Sequence, residues 1–356
     1  MRQQSVSAAY AAAELRARDY RANHDFSEAA ESAREAAEIA RNDGDTDSWW
    51  SMTYFRAQNY LSDADFEGCA AAASKLVENT RHISPQSRAQ VHILMAQARQ
   101  GSGLLDSAAA EARTAMELAG DESDVEINVR ARQALIAALA DSGKLAEAWS
   151  ESKGLASVIS EELDEQLAGK AFWVIGNVAF LCDKSDEGLR YHELAASTFS
   201  PARDLNVWAK FNKASAAMRL AANIADSDTL RCIERAELAT DVIGGGEIDL
   251  LLLKRNRAHW SYLAGDAASA VAILEDICTA TTASQVLGDA WFLLARSYLA
   301  MGDKDAARQS LLEAAIHFES AGAPDRAQQA RDFLKSELGR GSFWSWLVRV
   351  MGFDRN

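Results

Sequence analysis

Eight small residues recur along this 356-residue chain at nearly constant spacing. Ala29, Cys69, Ala108, Ala148, Gly188, Cys232, Ala270 and Ala307 are separated by 40, 39, 40, 40, 44, 38 and 37 residues. Such a ladder restricts the fold severely. One interval holds two amphipathic helices of roughly 14 to 18 residues and a short turn. A small side chain once per interval lets the second helix cross the first closely. One pair cannot bury its apolar stripe alone, so neighbouring pairs must stack into a continuous core.

The unit is clearest near the C-terminus. Trp291-x-x-Leu294-Ala295-x-x-Tyr298 sets a large, a small and an aromatic residue along one helical stripe, and Met301-Gly302-Asp303 follows. Gly302 ends that helix, because glycine takes a left-handed conformation at little cost. Asp303 caps the next helix by accepting backbone N–H bonds, and Ala307-x-x-x-Leu311 begins its buried face. Upstream, Ala17-x-x-Tyr20 precedes Ala29 and Ala57-x-x-Tyr60 precedes Cys69. Leu135-Ile136-x-x-Leu139 precedes Gly143 and Ala148, Phe172-x-x-Ile175-Gly176 precedes Gly188, and Gly265-Asp266 leads into Ala270. Asp25-x-x-Glu28 reads as a capping box. Pro85, Pro201 and Pro324 read as first-turn prolines of new helices. The Gly244–Gly246 run separates the sixth pair from the seventh, and the 44-residue interval puts extra residues in the turn between Ala221 and Thr229.

These residues resemble the tetratricopeptide (TPR) pattern, most specifically over Trp291–Leu311. The resemblance extends from about Ser5 to Ser320, with Asp325–Leu338 as a closing helix. It implies an all-α fold: a right-handed α-α superhelix, a TPR-like solenoid of about eight helix pairs plus a C-terminal capping helix. The pairs are expected near 5–42, 46–80, 84–120, 122–160, 164–200, 204–243, 247–283 and 286–320, with the cap at 324–338 and a tail at 339–356. The interval is longer than the basic TPR unit of about 34 residues, and the proline that often ends that unit is mostly missing. Longer helices of this kind are similar to the arrays of bacterial peptide-sensing TPR proteins and of kinesin light chains. Those peptide sensors commonly carry an N-terminal helix-turn-helix domain. Because the first repeat starts almost at Met1, none is expected here.

Charge excludes one class of ligand. The net charge is 37 − 52 = −15, which repels phosphate backbones and argues against direct binding of nucleic acid. Met1–Tyr10 is polar, and the longest apolar run, Ala171–Cys182, falls well short of the roughly 20 residues that cross a bilayer. A cytoplasmic protein with no membrane-spanning segment is expected. Cys69, Cys182, Cys232 and Cys278 lie far apart and form no C-x-x-C pair, so neither a disulfide framework nor a zinc site is supported. Buried small side chains are expected instead.

Catalytic signatures are missing too. There is no G-x-x-x-x-G-K-[ST] loop, no H-E-x-x-H and no G-x-S-x-G. The triple glycine is followed by Glu247-Ile248-Asp249, which repels phosphate, and the six histidines fall in different repeats. The acidic cluster around Glu161, Glu162, Asp164 and Glu165 reads as a solvated helix end. Neither catalysis, a metal nor a cofactor is expected.

In a stack of this kind the first helices line a concave groove that holds an extended peptide or a helix. Side chains about 100° from the core stripe look into it. They are Tyr54, Gln58 and Leu61 in the second pair, and Ile93 and Gln97 in the third. The fifth offers Lys170, Trp173, Asn177 and Phe180, and the sixth Trp208, Lys210, Phe211, Asn212 and Ser215. The seventh offers Arg255, Asn256, His259 and Tyr262, and the eighth Phe292, Arg296 and Leu299. Asn177, Asn212 and Asn256 can each give a donor and an acceptor to a peptide bond. The aromatic rings supply flat apolar area with little rotamer freedom to lose. Lys170, Lys210, Arg255 and Arg296 suit an acidic segment or a free carboxylate. The same aromatic stripe is equally compatible with packing between helices.

After Leu338 the composition changes. Phe343, Trp346, Leu347, Val350 and Met351 share one helical face, with Ser345 and Arg349 opposite. Such a segment is expected to dock, because exposed apolar patches are costly in water. Its destination is the repeat array itself, a second copy in a homodimer, a separate partner or a membrane interface. The functional expectation is a non-enzymatic scaffold or adaptor that holds a protein or peptide segment. A peptide-responsive sensor without a DNA-binding domain and a homo-oligomeric scaffold are the alternatives.

Overall fold

The computed structural model describes residues 7–79, 83–120 and 124–338. Among these the chain is all-α, with seventeen α-helices and no strand. The pairs are α1 Ala8–Ala22 with α2 Phe26–Asn42, α3 Thr46–Ser62 with α4 Phe66–Glu78, and α5 Pro85–Gly101 with α6 Leu105–Ala119. Then come α7 Val125–Asp141 with α8 Leu145–Val158, and α9 Glu165–Leu181 with α10 Ser185–Thr198. The last three are α11 Leu205–Ala221 with α12 Ser227–Ile243, α13 Glu247–Leu263 with α14 Ala267–Ala280, and α15 Ser284–Met301 with α16 Lys304–Ser320. A final helix, α17 Pro324–Phe333, runs into a π-helical turn, Leu334–Leu338. The chain divides after Thr198 into two compact units, one holding α1–α10 and the other α11–α17. The apolar tail and its residues Phe343, Trp346, Leu347, Val350 and Met351 lie outside the described residues.

The ladder of small residues has a direct structural cause. Each of its members is the fourth residue of a second helix, except Cys232, which is the sixth of α12, and all eight are buried. The fifth pair shows how tight the crossing is. A methyl group on Gly188 would sit 2.7 Å from the Phe180 ring, and one on Gly176 would sit 2.3 Å from the His192 ring. Larger side chains at these positions would push α9 and α10 apart.

The turns inside the pairs are also uniform. Each holds one residue with positive φ: His24 (65°), Ala64 (59°), Gly103 (75°), Gly143 (74°), Asp183 (57°), Asn223 (59°), Gly265 (90°) and Gly302 (85°). Backbone bonds then close the turn, as in Asp65 N–H to the Tyr60 carbonyl (2.9 Å) and Asp303 N–H to the Tyr298 carbonyl (2.9 Å). Asp45, Asp65, Asp124, Asp164, Asp204, Asp226, Asp266 and Asp303 each accept from the backbone N–H three residues on. This capping satisfies an amide that the helix leaves unpaired.

Two local expectations need correction. Asp25 stands at the N-cap of α2 but its side chain makes no capping bond, so no capping box forms there. Pro85 and Pro324 occupy the first turns of α5 and α17, whereas Pro201 lies in the turn before α11, where Asp204 is the cap. The extra residues of the sixth pair form a five-residue turn, 222–226. Asp226 anchors it by accepting from the Thr229 N–H and hydroxyl.

In the first unit Ile136, Leu139, Leu155 and Ile175 are fully buried in one cluster around α7–α9, each contributing roughly 1.5–3 kcal/mol. In the second, Leu274, Ile277 and Leu294 play that part. Cys69 and Cys232 are buried, Cys182 and Cys278 half-buried, and all four are free thiols. Burial pushes the Cys69 and Cys278 thiols up to about 12, which suppresses the reactive thiolate.

Candidate functional site

In the first unit the first helices build a recess of about 550 Å³. Its walls come from α1, α3, α5, α7 and α9, together with Asp164 at the N-cap of α9; no second helix contributes. Counted from the start of each first helix, the lining residues share a phase. The sixth position carries Gln90, Arg130 and Lys170; the ninth carries Tyr54, Ile93, Gln133 and Trp173; the thirteenth carries Gln58, Gln97 and Ala137. Positions three and four apart lie on one helical face, so repetition of the unit extends the face from helix to helix.

Amide side chains dominate this recess: Gln58, Gln90, Gln97, Gln100, Gln133 and Gln166. Each offers both a donor and an acceptor. Gln100 donates to Asp141 (2.7 Å), while the Gln133 Nε2 is buried without a partner. Tyr54 is stacked on Trp50 at 5.4 Å with a 6° interplanar angle, and burial raises its hydroxyl pKa. Arg21, Arg130 and Lys170 supply positive charge against Asp164. Arg21 is held by donation to Asn59 (2.9 Å), and Arg130 pairs with Glu126 (3.5 Å).

Of the residues expected on the groove, Tyr54, Gln58, Leu61, Ile93, Gln97, Lys170 and Trp173 line this recess. Asn177 has the thirteenth-position phase of α9 but is half-buried, its Oδ1 3.1 Å from His192 Nε2. Phe180 is buried against the His192 ring at 5.1 Å. Sequence reasoning missed Arg21, Gln90, Gln100, Arg130, Gln133 and Gln166. The signal for most of them was the same three-and-four spacing carried one turn further.

In the second unit the expected residues separate into two sets. Those of α13 and α15 keep the recess phase: Arg255 and Phe292 are ninth, His259 and Arg296 thirteenth, Tyr262 and Leu299 sixteenth. Arg255 and Arg326 share the Asp289 carboxylate, and the Arg296 guanidinium lies 4.9 Å from the Tyr262 ring centre. His259 is half-buried, and its Nε2 is enclosed without a partner. Burial, then the charges of Arg296 and Arg255, bring its pKa down to about 4. Asp289 thus holds two guanidinium groups, those of Arg255 and Arg326, while that of Arg296 stays on the Tyr262 ring. Phe292 packs against Phe333 (5.6 Å) and Phe318 (6.5 Å), joining α15 to α16 and α17; Leu299 packs in the same end cluster.

The sixth-pair set behaves differently. Trp208, Phe211, Asn212 and Ser215 are the fourth, seventh, eighth and eleventh residues of α11, between the recess positions. Phe211 and Ser215 are buried, Phe211 against Phe199 at 5.2 Å. Asn212 is buried and donates to the Trp208 carbonyl (2.8 Å), with its Oδ1 unpartnered. Trp208 is half-buried, and Lys210, at the sixth position, is exposed. Asn256 is buried and donates to the Lys213 carbonyl (3.1 Å). Its amide is spent inside the stack. Among the described residues no group of three or more His, Cys, Asp or Glu side chains could hold a metal ion.

No family model matches the sequence, and no curated protein matches it. The structure is similar to several solved ones. Aspartyl phosphate phosphatase F from Bacillus subtilis superposes with a TM-score of 0.58 at 14% identity, covering 88% of this chain and 85% of that one. The apo form of the quorum sensor NprR from B. thuringiensis gives 0.56 at 12%, covering 91% and 85%. A Rap protein complexed with Competence and Sporulation Factor gives 0.54 at 13%, covering 93% and 78%. The fold is that of the TPR-like helical-repeat solenoid proteins.

Proposed function

We propose that the chain is a non-enzymatic scaffold or adaptor that holds a protein or peptide segment on the face of its first helices. The observation that carries this reading is the concentration of six glutamines with Tyr54 and Trp173 in one recess lined by first helices. Glutamine amides match the alternating N–H and C=O groups of an extended backbone, each such bond being worth about 0.5–1.5 kcal/mol net. Tyr54 and Trp173 supply the apolar anchor that interface hot spots use. Arg21, Arg130 and Lys170 favour an acidic segment or a free carboxylate. The solved Rap complex with Competence and Sporulation Factor supports the same reading by analogy of fold. No cofactor takes part, and direct contact with nucleic acid is disfavoured by the charge of −15. No helix among the described residues is long and apolar enough to cross a membrane.

Selection from a displayed library of random short peptides tests the proposal. The wild-type chain is expected to enrich a sequence family, and Gln97→Ala with Trp173→Ala to lose that enrichment. Equal enrichment by both proteins refutes the site. Lys170→Glu is expected to weaken acidic selectants about tenfold, in line with the loss of one charge-assisted contact.

A second reading, a peptide-responsive sensor, is favoured by the likeness to the quorum sensor NprR. A sensor must change shape on binding, since a ligand shifts only states it binds unequally. Small-angle scattering with a selected peptide separates the two: unchanged dimensions support the adaptor, compaction the sensor.

A further inference from the structure

A second concavity of the first unit shares no residue with the recess. It is a cleft of about 480 Å³ between the second helices α2 and α4, with α3 as its floor. Its charge runs against that of the whole chain. Among the described residues lining it are four cations, Arg34 and Arg41 of α2, Arg56 of α3 and Lys75 of α4, against two carboxylates, Glu38 and Glu78. Arg34 is taken up by Glu31 and Glu38 of its own helix. Arg56 donates through Nε and Nη2 to the Tyr60 hydroxyl (3.1 and 2.7 Å), a partner that fixes the guanidinium without neutralising it. Among the described residues, Arg41, Arg56 and Lys75 have no ion pair.

The repeat itself supplies the contrast. The eleventh residue of α13 is Arg257, the counterpart of Arg56 in α3. Arg257 is neutralised across the α12–α13 junction by Glu237 (3.0 Å), and Lys254 is neutralised by Asp276 of α14 (2.6 Å). Glu237 stands five residues after its ladder residue and Asp276 six after its own; the matching positions in α2 and α4 are Arg34 and Lys75. The floor keeps its arginine while both walls change sign. A water-lined cleft with an excess of one sign of charge concentrates ions of the other. Two surplus positive charges match a phosphate monoester, which carries about −1.5 to −2 at neutral pH, better than a single carboxylate. Guanidinium forks fit phosphate oxygens in pairs. The volume is that of a small-molecule site, roughly 300–1,000 Å³, so space remains beyond a phosphate group. The half-buried Trp49 lines that space with a flat apolar wall.

We propose that the α2–α4 cleft binds a small molecule carrying a phosphate group, held by Arg41, Arg56 and Lys75, with an apolar ring against Trp49. Isothermal titration of the full chain with phenyl phosphate, in phosphate-free buffer at low salt, tests this. Phenyl phosphate is expected to bind about tenfold more tightly than benzoate, in line with its second negative charge. It is also expected to bind more tightly than inorganic phosphate, which leaves Trp49 uncovered. An Arg34→Glu, Lys75→Asp variant gives this cleft the wall charges of the α12–α14 cleft and is expected to lose binding at least about tenfold. Arg56→Gln, which removes one charge only, is expected to weaken it in the same direction. The three side chains are partly or fully exposed, and unchanged helical circular dichroism checks that each variant folds. Absence of binding, equal affinity for benzoate, or unchanged affinity in both variants overturns the proposal. Inorganic phosphate binding as tightly as phenyl phosphate overturns the assignment of an organic ligand against Trp49. Loss of binding in Lys170→Glu, with both cleft variants unaffected, would place the anion in the recess and overturn it too.

Discussion

Asn256 on α13 donates its side-chain N–H to the backbone carbonyl of Lys213 on α11, 3.1 Å away, joining the first helices of consecutive pairs. Its burial at 3% exposure makes this a packing contact. Asn256→Ala removes one buried hydrogen bond and leaves a small void, and is expected to lower stability by about 1–3 kcal/mol. Urea unfolding followed by circular dichroism measures this, with a lower midpoint and an unchanged slope.

Ala64 holds φ at 59° in a turn where Gly103 and Gly143 hold 75° and 74°. A left-handed alanine costs about 1–2 kcal/mol, partly offset by the greater freedom of glycine in the unfolded chain. Ala64→Gly is expected to stabilise by about 0.5–1 kcal/mol. Gly143→Ala, in open space, is expected to destabilise by a similar amount through backbone strain alone. Thermal unfolding of the two variants should move in opposite directions.

Gly188 faces the Phe180 ring so closely that an added methyl would lie 2.7 Å from it. Gly188→Ala is expected to cost about 1–3 kcal/mol by overpacking. Following it with Phe180→Leu should recover part of the loss, a coupling that a double-mutant cycle in urea detects.

His259 has its pKa brought down to about 4 by burial and by Arg296 and Arg255, against about 6.5 in an unfolded chain. The folded state therefore keeps it neutral while the unfolded state takes up a proton. Its contribution to stability is complete above pH ~6.5, is lost as pH falls toward ~4, and is constant below that. His259→Gln is expected to flatten the stability profile between those limits relative to wild type. The imidazole proton shift in NMR should titrate with a midpoint near 4.

The helix pairs were legible because their constraints are local and repeated. A residue such as Ala108 or Ala307 must be small wherever a second helix crosses a first, and glycine turns announce themselves at Gly143 and Gly302. The left-handed turns at His24, Ala64, Asp183 and Asn223 were not, because no glycine marks them and only the closed backbone bonds reveal them. On the first helices, a phase error of one residue is a rotation of about 100°. In α9 the expected face includes Lys170 and Trp173, and the structure brings both into the recess. In α11 the expectation fell on Phe211 and Asn212, which the structure buries, while the sixth and ninth positions there are Lys210 and Lys213. Alanine-rich helices caused this, since Ala209, Ala214, Ala216 and Ala217 leave no strong apolar contrast from which to fix the phase.

Hydrogen–deuterium exchange of the full chain with a library-selected peptide bears most directly on the account. Slower exchange is expected in α3, α5, α7 and α9, centred on Gln58, Gln97 and Trp173, with the second helices unchanged. Protection confined to α4, α6, α8 and α10 would contradict it.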